Sequence, residues 1–105
     1  MIVDVHGQAH PEGWIELGYL LDPSTFNSPL KDSLASQSSL SKLKQQSSQS
    51  FEELIRGNTY SMGGILNSKF PTYKAVPSPT NSTTNGGNYY NGGYITQTYA
   101  APGSY

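Results

Sequence analysis

Only 20 of the 105 residues are Leu, Ile, Val or Phe, and this scarcity sets the tightest limit on what the chain can fold into. A share just under one fifth sits at the edge where a packed core becomes doubtful. Disorder also calls for a large net charge, and here the net charge is only −1. Eight Tyr and one Trp supply apolar area that the aliphatic residues lack. The expectation is therefore one small, thin-cored domain over 1–105, with burial against a partner as a further source of stability.

The charge balance narrows the function classes. Six Lys plus Arg stand against seven Asp plus Glu, with no basic run, so a nucleic-acid surface is not expected. The absence of Cys excludes thiolate metal sites, disulfides and thiol redox chemistry, and leaves the compartment open. Met1 leads straight into Ile2-Val3-Asp4-Val5-His6 without a basic leader or a long apolar run. Neither a signal peptide nor a membrane span, which needs about 20 apolar residues, is expected.

Periodicity gives a mixed α/β outline. Ile2–His6 alternates as a strand that Gly7 would end, and Trp14–Leu21 alternates as a second, with Ile15, Leu17, Tyr19 and Leu21 on one side. Ser28 and Pro29 suit a helix start, followed by Leu30, Leu34, Leu40 and Leu43 at helical spacing. Seven Ser and four Gln within 36–50 leave that helix weakly anchored. Ser50-Phe51-Glu52-Glu53 is a capping-box pattern opening a short helix that Gly57 would close. Met62, Ile65, Leu66 and Phe70 continue at helical spacing, with Gly63 and Gly64 weakening the pattern. Residues 71–93, rich in Pro, Gly and Asn, are expected to be loop, and Tyr94–Tyr99 a final strand of strong β-formers. Residues 100–105 carry no pattern and are expected to be an unstructured tail.

Chemistry-bearing residues concentrate near the start. His6 and His10 are candidate zinc ligands, since imidazole is the commonest nitrogen donor to that metal. In an extended segment their Cα atoms would lie roughly 13 Å apart, too far for one ion. Glu12 and Glu16 are a second candidate pair, with hydrogen-bonded surface carboxylates as the simpler reading. Glu52 and Glu53 are explained by capping and the helix dipole. Asn81-Ser82-Thr83 fits a glycosylation acceptor at Asn81. The Gly doublets lack the strand–glycine–helix order of a phosphate site. Tyr89, Tyr90, Tyr94, Tyr99 and Tyr105, set among Gly, Asn, Ser and Thr, suit either a flexible loop leading into a strand or stacking between chains.

Three runs, Asp4-Val5-His6-Gly7-Gln8-Ala9-His10-Pro11, Ile15-Glu16-Leu17-Gly18-Tyr19-Leu20 and Asn91-Gly92-Gly93-Tyr94-Ile95-Thr96, resemble the N-formylglutamate amidohydrolase family. The resemblance implies a zinc hydrolase fold: a mixed sheet flanked by helices and joined by the long loop. It makes His6 the zinc ligand of a D-x-H motif, with Asp4 as its supporting carboxylate and His10 a weaker ligand candidate. Tyr94, Thr96 and Gln97 would lie on a strand beside the substrate. The departures are large. The family's remaining ligands, a His and an acidic residue, have no counterpart, and Gln97 stands where relatives carry a basic residue. The later acid/base Glu is also missing, whereas a catalytic zinc needs three protein ligands and an open position.

Two readings follow. One is a partial or degenerate zinc-amidohydrolase-like domain that is not catalytically self-sufficient. The other is a non-catalytic structural or self-assembling protein whose Tyr/Gly/Asn-rich C-terminal half makes contacts between chains.

Overall fold

The computed structural model describes residues 7–99 and Pro102. The expected first strand, with Asp4 and His6, lies outside the described residues, as does the tail apart from Pro102. Within them, β1 (Ile15–Glu16) leads through two 3₁₀ turns (Pro23–Asn27 and Asp32–Gln37) to α1 (Ser41–Gln46), α2 (Phe51–Arg56) and α3 (Met62–Lys69). Then come β2 (Ala75–Val76) and α4 (Tyr94–Tyr99). The strands pair in parallel, Ile15 beside Ala75 and Glu16 beside Val76. Ile15 N–H donates to Lys74 O at 2.8 Å and Leu17 N–H to Val76 O at 2.8 Å. The architecture is thus α/β in outline, with a two-stranded sheet among the described residues where a larger mixed sheet was expected.

Several expectations need correction, each for a local reason. The strand over Trp14–Leu21 is cut to two residues, since its partner β2 stops at Val76 before Pro77, and beyond it Leu20 takes a left-handed conformation at φ 63°. A bulky side chain seldom adopts that region, and it ends the alternation there. Leu20 N–H is held by Asn91 O at 2.7 Å. The long helix from Ser28 is broken: Ser28 closes the first 3₁₀ turn, and Asp32–Gln37 and Ser41–Gln46 are separate pieces. Ser38 explains the break, since its Oγ accepts from Leu40 N–H at 3.1 Å and competes with the helical ladder.

The serine half of the capping box forms, the Ser50 Oγ accepting from Glu53 N–H at 3.2 Å. Residues 71–93 are mostly loop, but β2 lies within them and is fully buried. Tyr94–Tyr99 is helical, not extended. Its backbone is satisfied within a helical turn, as Gln97 N–H donates to Gly93 O at 3.0 Å. Local β-propensity yields to that requirement.

The core is as lean as the composition implies. Tyr19, Leu21, Phe26, Leu30, Ala35, Phe51 and Ile55 form one buried cluster, with Leu17, Leu34, Leu40 and Tyr89 packed against it. Tyr89 meets Phe26 edge to face at 5.7 Å, so an aromatic ring takes a place that an aliphatic chain would otherwise fill. The Cα radius of gyration, 12.8 Å, matches the ~13 Å expected of a folded domain this long.

α3 packs the opposite way from its apolar spacing. Gly63 and Gly64 face inward, where an added Cβ would lie 2.3 Å from Pro77 O and 2.2 Å from Gly57 O respectively. Met62 and Ile65, part of the row expected to face the core, turn outward, and Leu66 is half-buried. The glycines that weaken the helix on propensity grounds are what allow it to dock.

Candidate functional site

The polar residues near the start of the described chain converge on Glu16. Its side chain is only 3% exposed, and both oxygens are engaged. Oε2 accepts from Trp14 Nε1–H at 3.2 Å and lies 2.6 Å from His10 Nδ1. A carboxylate has no hydrogen to give, so Nδ1 carries the proton in that bond. Oε1 accepts from Tyr90 N–H at 2.6 Å. The His10 ring stacks on Tyr90, with centroids 4.3 Å apart and an interplanar angle of 24°. Gln8 closes the first loop, donating from Nε2 to Trp14 O at 2.9 Å and accepting from His10 N–H.

Beside it, Glu12 Oε2 accepts from Asn88 N–H at 2.8 Å and from Asn88 Nδ2–H at 3.3 Å. The Asn88 amide holds the Glu12 carboxyl below its ordinary range. Tyr89 runs inward and donates from its hydroxyl to Leu17 O. Burial pushes the Tyr89 phenol upward, and the nearby Tyr19 and Glu16 add to the shift.

Residues 84–92 therefore form a strap laid across residues 8–20. The chain reverses into it through Thr84-Asn85-Gly86-Gly87, where Gly87 N–H donates to Thr84 O at 2.8 Å. Asn85 (φ 50°) and Gly86 (φ 76°) give this turn the paired positive φ values that Asn-Gly favours. Close approach is possible because Gly87 and Gly18 lack side chains. A Cβ at Gly87 would lie 2.8 Å from Glu12 Oε2, and one at Gly18 would lie 2.7 Å from Asn91 O.

A second polar hub fastens the opposite side. Arg56 Nη1 donates to Phe26 O and to Ser82 O, each at 2.7 Å, and Nη2 donates to Ser28 O at 2.9 Å. Glu52 pairs with Arg56 and accepts from Leu30 N–H at 3.1 Å. Its hydrogen bond to Arg56 holds the Glu52 carboxyl below its ordinary range. Asp32 Oδ1 accepts from Phe51 N–H at 2.9 Å.

Of the residues singled out from sequence, His10 and Glu16 meet directly and Glu12 holds the same strap through Asn88, all in fastening roles. Asn81 lies on the loop after β2, where its N–H donates to Ser78 Oγ at 3.1 Å and its carbonyl accepts from Ser78 N–H at 2.9 Å. Tyr94, Thr96 and Gln97 lie on α4, and Gln97 Nε2 donates to Gly92 O at 3.3 Å. The site roles of Trp14, Tyr90, Asn88 and Arg56 were not anticipated. The Asn85-Gly86 turn signal, which folds the strap back, was the available clue to two of them, Asn88 and Tyr90.

The fit of zinc can be judged from these contacts. Among the described residues no group of three His, Asp or Glu side chains converges. His10 brings its ring to a carboxylate that already accepts from Trp14 and Tyr90, so the described residues do not make up a tetrahedral site. No helix of the described residues is long and apolar enough to cross a membrane. No protein-family model, curated protein or solved structure matches the chain.

Proposed function

We propose that this chain is a non-catalytic assembly protein, a degenerate relative of the amidohydrolase-like zinc enzymes that acts through contacts between chains. The observation carrying this reading is the engagement of Glu16, whose oxygens hold His10, Trp14 and the strap together. Groups that would otherwise serve as acid, base or ligand act as internal fasteners. Part of the Tyr/Gly/Asn-rich segment is committed to the chain's own fold, through Tyr89 and Asn88. Contacts between chains then fall to other surfaces.

A second reading rests on the Asp4-Val5-His6 run and its resemblance to a D-x-H zinc motif. In it the chain is a hydrolase piece, with His6 as one ligand and the others supplied by another chain.

Zinc content after dialysis, measured beside the sedimentation of the same samples, separates the two. The first reading expects far less than one zinc per chain and an apparent mass that rises with concentration. One zinc per chain, lost in His6→Ala, together with a constant monomer mass would overturn it.

A further inference from the structure

We infer that the outward row of α3 is a homotypic interface, on which a second copy of this chain docks its own α3 antiparallel. This deepens the assembly reading and rests on it. Met62, Ile65, Leu66 and Lys69 stand at i, i+3, i+4 and i+7, the spacing that normally faces a core. Met62 and Ile65, with Tyr60, Phe70 and Tyr73 at the ends of the helix, are between 40% and 64% exposed.

The exposure is built into the fold. Rotating α3 to bury this row would lift Gly63 and Gly64 from sites where backbone oxygens occupy the Cβ positions. It would also break the contact in which Asn67 Oδ1 accepts from Thr80 Oγ1–H at 3.0 Å. Among the described residues nothing covers Met62 and Ile65 while α3 stays in place, and a second copy of the chain can.

Area and charge both point to a second copy. Five large side chains, each about half open, offer on the order of 500 Å², taking 150–250 Å² for full burial of each. That is most of the ~800 Å² per partner that a stable interface uses. Lys69 is the single charge on the row, and the chain's net charge of −1 gives little long-range repulsion between copies. Parallel pairing would set the two Lys69 ammonium groups side by side. Antiparallel pairing about the point between Ile65 and Leu66 separates them by about 10 Å along the axis, at 1.5 Å per residue. That exceeds the ~8 Å screening length of physiological salt. Two-fold symmetry also lets one patch serve both partners.

The test is sedimentation equilibrium of the full chain from micromolar to millimolar concentration. The expected result is a reversible rise from 11.4 kDa toward twice that value. Ile65→Glu, at an exposed position, should keep the wild-type circular dichroism and weaken association by roughly 100-fold or more, because like charges would meet at the axis. Because the chain has no Cys, Ile65→Cys supplies the sole thiol and should oxidise readily to a covalent dimer, whereas Ser36→Cys on a distant surface should not. A wild-type chain that stays monomeric throughout, or equal cross-linking of the two Cys variants, overturns the proposal. If Ile65→Glu associates as wild type does, this interface is overturned while the assembly reading stands.

Discussion

Glu16→Gln perturbs the strap with almost no change in shape. The carboxylate accepts three hydrogen bonds, from His10 Nδ1 and Trp14 Nε1 on one oxygen and from Tyr90 N on the other. A carboxamide has one acceptor oxygen, so whichever way it turns, its NH2 faces at least one donor. The least costly orientation points the NH2 outward at Tyr90 N–H, where water can reach, and keeps the oxygen on His10 and Trp14. Even then the bonds lose their charge assistance, and one contact becomes repulsive. Charge-assisted bonds contribute about 1.5–3 kcal/mol, so a net loss of about 2 kcal/mol is expected. For a domain near 100 residues that lowers Tm by roughly 8–16 °C. Urea unfolding followed by Trp14 fluorescence gives the value directly, since the sole tryptophan sits in the affected cluster. The emission of native Glu16→Gln should also shift to the red as water approaches the strap. A variant within about 0.5 kcal/mol of wild type, the range of a neutral surface change, would refute the reasoning.

Three further outcomes follow from the same structure. Arg56→Ala removes the donors to Phe26 O, Ser28 O and Ser82 O, and should destabilise by about 3 kcal/mol in urea melts. Gly64→Ala places a methyl 2.2 Å from Gly57 O and should cost about 1–3 kcal/mol, while Gly7→Ala, with nothing within 4 Å, should stay within about 0.5 kcal/mol, read as paired thermal melts. Stability should also fall at both ends of the pH scale. Glu12 and Glu52 have folded values below 4.5, so their contribution is present above that pH and is lost as pH drops through the folded values. Tyr19 and Tyr89 are raised by burial above 10.0, so theirs is complete below that pH and is lost as pH rises beyond it. A urea midpoint that stays flat from pH 3 to pH 11, roughly the span of these groups, would contradict the assignment.

Legibility from sequence tracked the range of the forces involved. The Ser50 N-cap and the Gly57 stop are set within one helical turn, and both are found as read. The Tyr contribution to a lean core was readable from composition, and Tyr19 and Tyr89 supply it. The direction in which α3 faces was not readable, because it depends on Pro77 and Gly57 lying where Gly63 and Gly64 admit them. Spacing alone sends Met62 and Ile65 to the core. The Tyr94–Tyr99 segment fails for the mirror reason: β-branched and aromatic residues form strands only where a partner strand exists. In the candidate site, Glu12 and Glu16 drew notice as a pair. Their partners Asn88 and Tyr90 lie more than 70 positions away, and no local pattern links them. The engagement of Glu16 is also where the zinc expectation at His10 meets its physical obstacle.

The central claim is that His10 and Glu16 serve as fasteners and not as part of a metal centre. Nitrogen-15 NMR of the imidazole rings during a zinc titration tests it most directly. The account predicts that His10 keeps its Nδ1–H and its chemical shift through one equivalent of zinc, with Trp14 Nε1–H unchanged. A saturable one-to-one shift of the His10 and His6 rings together, with loss of the bond to Glu16, would contradict it.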